Sequence, residues 1–254
     1  MNILEQKIRA AVAQKRTALI PFLTAGFPDR SSFWPTCMEL DENGADIIEI
    51  GIPFSDPVAD GPVVEQASRQ ALSEGVNLRD TLDELRQRRG LFKAGIVLMG
   101  YANPFLQYGY TRLAQDAAAG GVHGLIVPDL PYEESGPLCE ALHKADIVLI
   151  PLVGPNTDTA RMRLYAKGEG YVYVVSVMGV TGARDRLPVQ VVETMKRARS
   201  VFSQPLALGF GLRDPAQLAA IPVEARPDAV VFGSALISHL SEGGTATEFM
   251  SRWR

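Results

Sequence analysis

Eight short runs of β-branched and aliphatic residues recur along this 254-residue chain. Their alternation with helix-period segments narrows the available folds more than any other feature. The runs occupy residues 19–23, 46–50, 95–99, 124–127, 147–152, 171–175, 205–208 and 229–232. Each is nearly continuous in apolar character and too short for a helix, as a parallel strand buried on both faces must be. Helix-period segments lie between them at 33–40, 78–89, 110–119, 136–143, 157–166, 189–198 and 215–220. Most run starts fall roughly 23 to 35 residues apart, the repeat of a (β/α)8 barrel. The count of eight favours that barrel over a doubly wound sheet, which alternates in the same way. The expectation is an α/β fold, a (β/α)8 TIM barrel forming a single domain over residues 1–254, with an N-terminal helix before the first strand. A longer gap, 51–93, has room for an active-site loop and an extra helix.

Composition excludes several classes of function. Basic and acidic residues nearly cancel, 25 against 29, and no Lys/Arg block is dense enough to follow a phosphate backbone, so nucleic acid is not an expected partner. Glu5, Lys7 and Arg9 interrupt the start of the chain, and no apolar run approaches the ~20 residues of a membrane span. A cytoplasmic protein without a membrane segment is expected. Cys37 and Cys139 are far apart and belong to no CxxC pair, which reads as two free thiols in a reducing compartment. His123, His143 and His239 lack ligand spacing, there is no Walker loop, and Gly209-Phe210-Gly211-Leu212-Arg213-Asp214 lacks the third glycine of a dinucleotide fingerprint. No metal, flavin or nicotinamide is implied. His123 precedes a strand and belongs at the barrel's stability face.

Barrel chemistry sits at strand C-termini and the loops after them. Glu49 stands inside Ile47-Ile48-Glu49-Ile50 and shares a face with Ile47 and Gly51, pointing either into the barrel or toward the helices. Either position desolvates it, and burial without a cation raises a carboxyl toward neutrality, as an alternating acid and base requires. The bland alternative is a structural Glu paired with a buried cation, but the strands offer no obvious one. Asp60 lies in Asp56-Pro57-Val58-Ala59-Asp60-Gly61-Pro62, where a capping aspartate is the competing reading. Gly61, not Asp60, directly precedes the Pro expected at a helix start. Toward the C-terminus, Gly179-Val180-Thr181-Gly182, Gly209-Phe210-Gly211 and Gly233-Ser234 are where backbone N–H groups can converge on an anion. Barrels often hold phosphate after strands seven and eight, so these glycines read better as a phosphate site than as three unrelated tight turns.

At these segments the chain resembles the tryptophan synthase alpha subunit family. The resemblance is carried by Pro21-Phe22-Leu23-Thr24-Ala25-Gly26-Phe27-Pro28 and by Glu49-Ile50-Gly51-Ile52-Pro53-Phe54-Ser55-Asp56-Pro57-Val58-Ala59-Asp60-Gly61-Pro62. Met99-Gly100-Tyr101-Ala102-Asn103-Pro104, Pro128-Asp129-Leu130-Pro131, Gly179-Val180-Thr181-Gly182-Ala183-Arg184 and Gly209-Phe210-Gly211 extend it over essentially the whole chain. His123 stands where the family commonly has Asp. The resemblance implies a lyase of tryptophan biosynthesis that cleaves indole-3-glycerol phosphate to indole and D-glyceraldehyde 3-phosphate by a retro-aldol step. It implies Glu49 as acid/base, Asp60 as its carboxylate partner and Tyr173 close to the reacting atoms. Phosphate would fall on Gly182, Gly211, Gly233 and Ser234, indole against Phe22 and Phe210, and Thr181 in a lid over Asp60. The resemblance also implies an α2β2 heterotetramer with a beta subunit that alone carries pyridoxal phosphate, this chain having no cofactor. Loops bearing Pro53, Asp56, Asn103 and Asp129 offer the docking surface. The competing readings are another phosphosugar barrel, such as an isomerase or an indole-glycerol phosphate synthase, the latter expected to need a strand-end lysine where this chain has carboxylates; a stand-alone lyase releasing free indole; and a non-catalytic barrel that binds phosphate ligands and regulates a partner.

Overall fold

A computed structural model describes residues 1–175, 189–209 and 214–253. The strands in it are β1 (Ala18–Thr24), β2 (Ile47–Gly51), β3 (Gly95–Met99), β4 (Gly124–Ile126), β5 (Val148–Leu149), β6 (Leu152–Val153), β7 (Val172–Val175), β8 (Leu206–Gly209) and β9 (Ala229–Phe232). All pairings are parallel, in the order β5-β4-β3-β2-β1-β9-β8-β7-β6. The two ends of that order, β5 and β6, are the halves of one expected run, split at Ile150 and Pro151. Pro151 has no N–H to give a ladder. Its carbonyl accepts from Tyr173 N–H at 3.0 Å on one side, while Ile150 N–H donates to Leu125 at 2.9 Å on the other. One segment thus closes the sheet, and the architecture is the (β/α)8 barrel expected from the eight runs.

β1, β2, β8 and β9 are buried throughout, which is why their sequences are apolar without alternation. The 51–93 gap holds two helices, Pro62–Ser73 and Leu78–Gln87, in place of one. A further short helix, Ala102–Tyr108, follows β3.

The helix Ile3–Ala13 packs across the N-terminal ends of β1 and β3. Asn2 caps it, its side chain accepting from Leu4 N–H, and Leu4, Ile8 and Ala11 recur at helical spacing as its buried face. A Cβ on Gly95 or Gly124 would come within 2.6 or 2.8 Å of a Leu4 methyl. Glycine at these two strand starts therefore makes room for Leu4 to plug the barrel floor. Truncating such a plug to alanine costs about 2–5 kcal/mol.

Candidate active site

Glu49 is fully buried on β2, in register with Phe22 of β1 and Val97 of β3. Its charge is felt by Tyr171 and Tyr173, at and beside β7. In the sheet, β2 and β7 are separated by β1, β9 and β8, so the interaction crosses the barrel lumen. The geometry agrees: Ile47, on the same face of β2 as Glu49, meets Leu4 around the Cβ position of its register partner Gly95 at the barrel floor, so Glu49 points inward. Among the described residues, neither carboxylate oxygen has a hydrogen-bond partner and no cation pairs with it. Burial first, and the charge of Asp60 second, push its carboxyl up to about 8.

Asp60 is half-buried in the loop between β2 and the helix Pro62–Ser73. Gly61 occupies the N-cap and Pro62 the first turn, so Asp60 is not the capping residue. Burial raises its carboxyl to about 6, a hydrogen bond from Tyr101 opposes that rise, and the charge of Glu65 adds to it. The Tyr101 hydroxyl also accepts from Ala59 N–H at 3.1 Å, and its ring lies 5.2 Å from that of Phe54. Tyr101 is thus the strut that fixes the Asp60 loop. In sequence it belonged only to a candidate docking loop, because nothing local shows a tyrosine after β3 reaching back to the loop after β2.

Tyr173 lies on the lumen side of β7, where a Cβ on the neighbouring Gly209 would overlap its ring. Burial, then the charges of Glu49 and Asp60, raise its phenol far above its ordinary value. Phe22 closes the opposite wall, with a Cβ on Gly51 falling 2.5 Å, and one on Gly233 2.8 Å, from its ring atoms. Ser234 opens the helix Ser234–Ser241 without any side-chain capping bond, so the cap reading of Ser234 finds no support. The first N–H groups of such a helix have no intrahelical acceptor. The lumen thus brings Phe22, Glu49, Asp60, Tyr173 and Gly233 onto one face of the barrel. Thr181, Gly182, Phe210 and Gly211 lie outside the described residues.

Of the expected docking residues, Asp56, Asn103 and Asp129 are exposed and Pro53 is buried within this chain. Asp129 accepts from Ala102 N–H at 2.8 Å, tying the loops after β3 and β4 together. Cys37 and Cys139 are both free thiols, the first buried. The described residues contain no cluster of His, Cys, Asp or Glu suited to a metal ion.

Fold and geometry define a class: a (β/α)8 barrel with two carboxylates at its C-terminal face, both pushed up by burial and neither paired with a cation among the described residues. The family profile "Tryptophan synthase alpha chain" matches residues 8–252, and this chain belongs to that family. The tryptophan synthase alpha chain of Desulfovibrio desulfuricans is 74% identical over 255 residues, covering 100% of both chains. That of Nitratidesulfovibrio vulgaris is 58% identical, covering 98% of this chain and 97% of its own. Among solved structures, Mycobacterium tuberculosis tryptophan synthase aligns with a TM-score of 0.89 at 36% identity, covering 99% of this chain and 98% of that one. The Legionella pneumophila alpha subunit aligns with a TM-score of 0.85 at 32% identity, covering 98% and 94%.

Proposed function

We propose that this chain is a carbon–carbon lyase that cleaves indole-3-glycerol phosphate to indole and D-glyceraldehyde 3-phosphate. The observation that carries the reading is the divergence of two neighbouring carboxylates, Glu49 near 8 and Asp60 near 6. At neutral pH this leaves one mainly protonated and the other mainly ionised, the division of labour an acid–base pair needs. Protonated Glu49 delivers its proton to indole C3, which becomes tetrahedral while positive charge develops at the ring nitrogen. Ionised Asp60 accepts the indole N–H and stabilises that charge. Glu49, now a carboxylate, takes the proton of the side-chain hydroxyl next to the ring. The bond from C3 to the side chain breaks, its electron pair returns to the ring, and the hydroxyl carbon becomes the aldehyde.

Binding of the phosphate at Gly233 and Ser234, with Gly182 and Gly211, fixes the substrate far from the bond that breaks, so remote binding energy serves orientation. Phe22 and Phe210 hold the indole ring, Tyr173 lines the reacting atoms, and Thr181 belongs to the lid. A pyridoxal-phosphate-bearing beta subunit takes the indole in an α2β2 assembly, docked on the loops around Asp56, Asn103 and Asp129. The exposure of those three residues supports that surface. The reading gives this chain no cofactor of its own and a cytoplasmic location, where Cys37 and Cys139 stay reduced.

The deciding experiment measures indole released from indole-3-glycerol phosphate by the purified chain, alone and with the cognate beta subunit. Slow release alone and a large increase in the complex are expected. Full turnover alone with no gain and no co-elution makes it a stand-alone lyase. No indole in either case returns the chain to a phosphate-binding regulatory role.

A further inference from the structure

Unpartnered buried polar atoms are few among the described residues, and three of them belong to side chains on the lumen face of β2 and at the start of β7: both carboxylate oxygens of Glu49 and the phenol oxygen of Tyr171. Tyr171 is 0% exposed and the largest fully buried side chain among the described residues. It immediately precedes β7 and stands two residues from Tyr173, so it shares the lumen face one layer nearer the floor. A phenylalanine would fill that space without burying a hydroxyl, whereas a phenol with no partner is destabilising. After burial, the charge of Glu49 is the largest influence on this phenol, which places the two groups within electrostatic reach across the barrel. Tyr173 is nearer the mouth, only part-buried, with its ring against Gly209.

We propose that Tyr171 is a positioning residue of the reaction: its phenol donates a hydrogen bond to Glu49 whenever that side chain is ionised, and so holds the base in the lumen between its two proton transfers. Protonated Glu49 leaves the hydroxyl without a charged acceptor, and loss of the proton creates one. The bond requires side-chain reorientation alone, since the phenol hydrogen swings about its C–O bond and Glu49 has a flexible stem. Charge-assisted bonds of this kind are about twice as strong as neutral ones, and among the described residues neither oxygen of Glu49 has another hydrogen-bond partner. The assignment rests on Glu49 as the acid/base.

The test is Tyr171→Phe in the full chain, read three ways. The alkaline limb of the kcat profile, set by Glu49, is expected to move up by about one pH unit, a tenfold change in the ionisation constant. Turnover is expected to fall about tenfold with KM unchanged, while Tm holds or rises because an unpartnered hydroxyl has gone. Infrared difference titration follows the carboxyl band that Glu49→Gln removes, and its midpoint should move by the same amount whether or not the protein turns over substrate. An unmoved midpoint overturns the proposal, even if Tm falls, because it makes Tyr171 a space-filler. Placing 3-fluorotyrosine at 171 keeps the ring and strengthens the donor, so the midpoint should move down; no movement there also overturns it. Normal turnover in Glu49→Gln would instead refute the acid/base role itself, leaving the infrared result to report on the contact alone.

Discussion

The two ends of this barrel use the same functional group in opposite ways. At the N-terminal end, Asp46 receives Arg16 through two bonds of 2.6 and 2.7 Å and the Leu19 N–H at 2.9 Å. Asp41 accepts from the N–H groups of Lys93 and Ala94, and Asp228 from Leu206 N–H and Arg199. Each of these carboxylates clips the start of a strand, and each has its partners. At the C-terminal end, among the described residues, Glu49 has none and Asp60 is held by the phenol of Tyr101. A carboxylate with partners is a fastener. One buried without them is held at a cost in stability that the rest of the fold offsets, and that cost is what the proposed acid/base role of Glu49 accounts for.

The contrast is sharpest at Glu49→Gln. Turnover should fall by about 10²–10⁴-fold, the usual contribution of a positioned acid/base. Stability should move the other way in alkali. Folding raises the Glu49 carboxyl from 4.5 to about 8, so its contribution is fully present below 4.5 and is lost as pH rises through about 8. Across that interval each pH unit is worth about 1.4 kcal/mol. Urea denaturation should therefore show the Glu49→Gln protein gaining a few kcal/mol over the parent at pH 9 and little at pH 5. A parallel pair of stability curves would mean the carboxyl is not held neutral by the fold.

Next in size is Asp60→Asn, with turnover down by about 10²-fold as charge stabilisation is lost while an amide oxygen still accepts the indole N–H. The acid limb of kcat/KM near pH 6 should vanish. The alkaline limb should move down, because the Asp60 charge is the second cause of the raised Glu49 value. Persistence of both limbs would make Asp60 a loop residue only.

The floor should respond in the opposite sense. Asp46→Asn loses the ion pair with Arg16 and weakens the tie to Leu19, so it should lower unfolding free energy by about 1–3 kcal/mol with turnover per folded molecule unchanged. Calorimetry and active-site titration together check this, and a turnover loss without a stability loss would break the division between the ends.

The smallest effect is expected at His123, whose Nδ1 accepts from Ile96 N–H at 3.1 Å. Burial first and Lys7 second lower its value from 6.5, so its contribution is present above 6.5 and is lost as pH falls below that. His123→Leu should cost about 1 kcal/mol at pH 7 and flatten the decline toward pH 5, as thermal melts at both values would show.

Much of this was legible before the structure. Runs such as 95–99 and 229–232 are apolar on both faces, and only a barrel or a doubly covered sheet buries them. Gly61 before Pro62 marked a helix start that weighed against Asp60 as its cap, and the structure puts Gly61 at the N-cap. The break at Pro151 was less visible, because residues 147–152 read as one apolar run until the missing N–H had to be placed between two neighbours. Tyr101 and Tyr171 escaped notice for a different reason. Their partners lie on other strands, and a tyrosine in an apolar context reads as core.

Hydrophobic period and turn chemistry are local properties, so the chain by itself determined the alternation, the eight βα units and the placing of its carboxylates on and after the second strand. The resemblance of its motifs determined the family. Protonation is not local. Whether Glu49 faces the lumen or the helices, whether a cation reaches it, and which phenol answers Asp60 depend on residues about 40 to 120 positions away in sequence. Desolvation and charge act through space, so only closure of the barrel, bringing β2 opposite β7, made one carboxyl an acid near 8 and the other a carboxylate near 6.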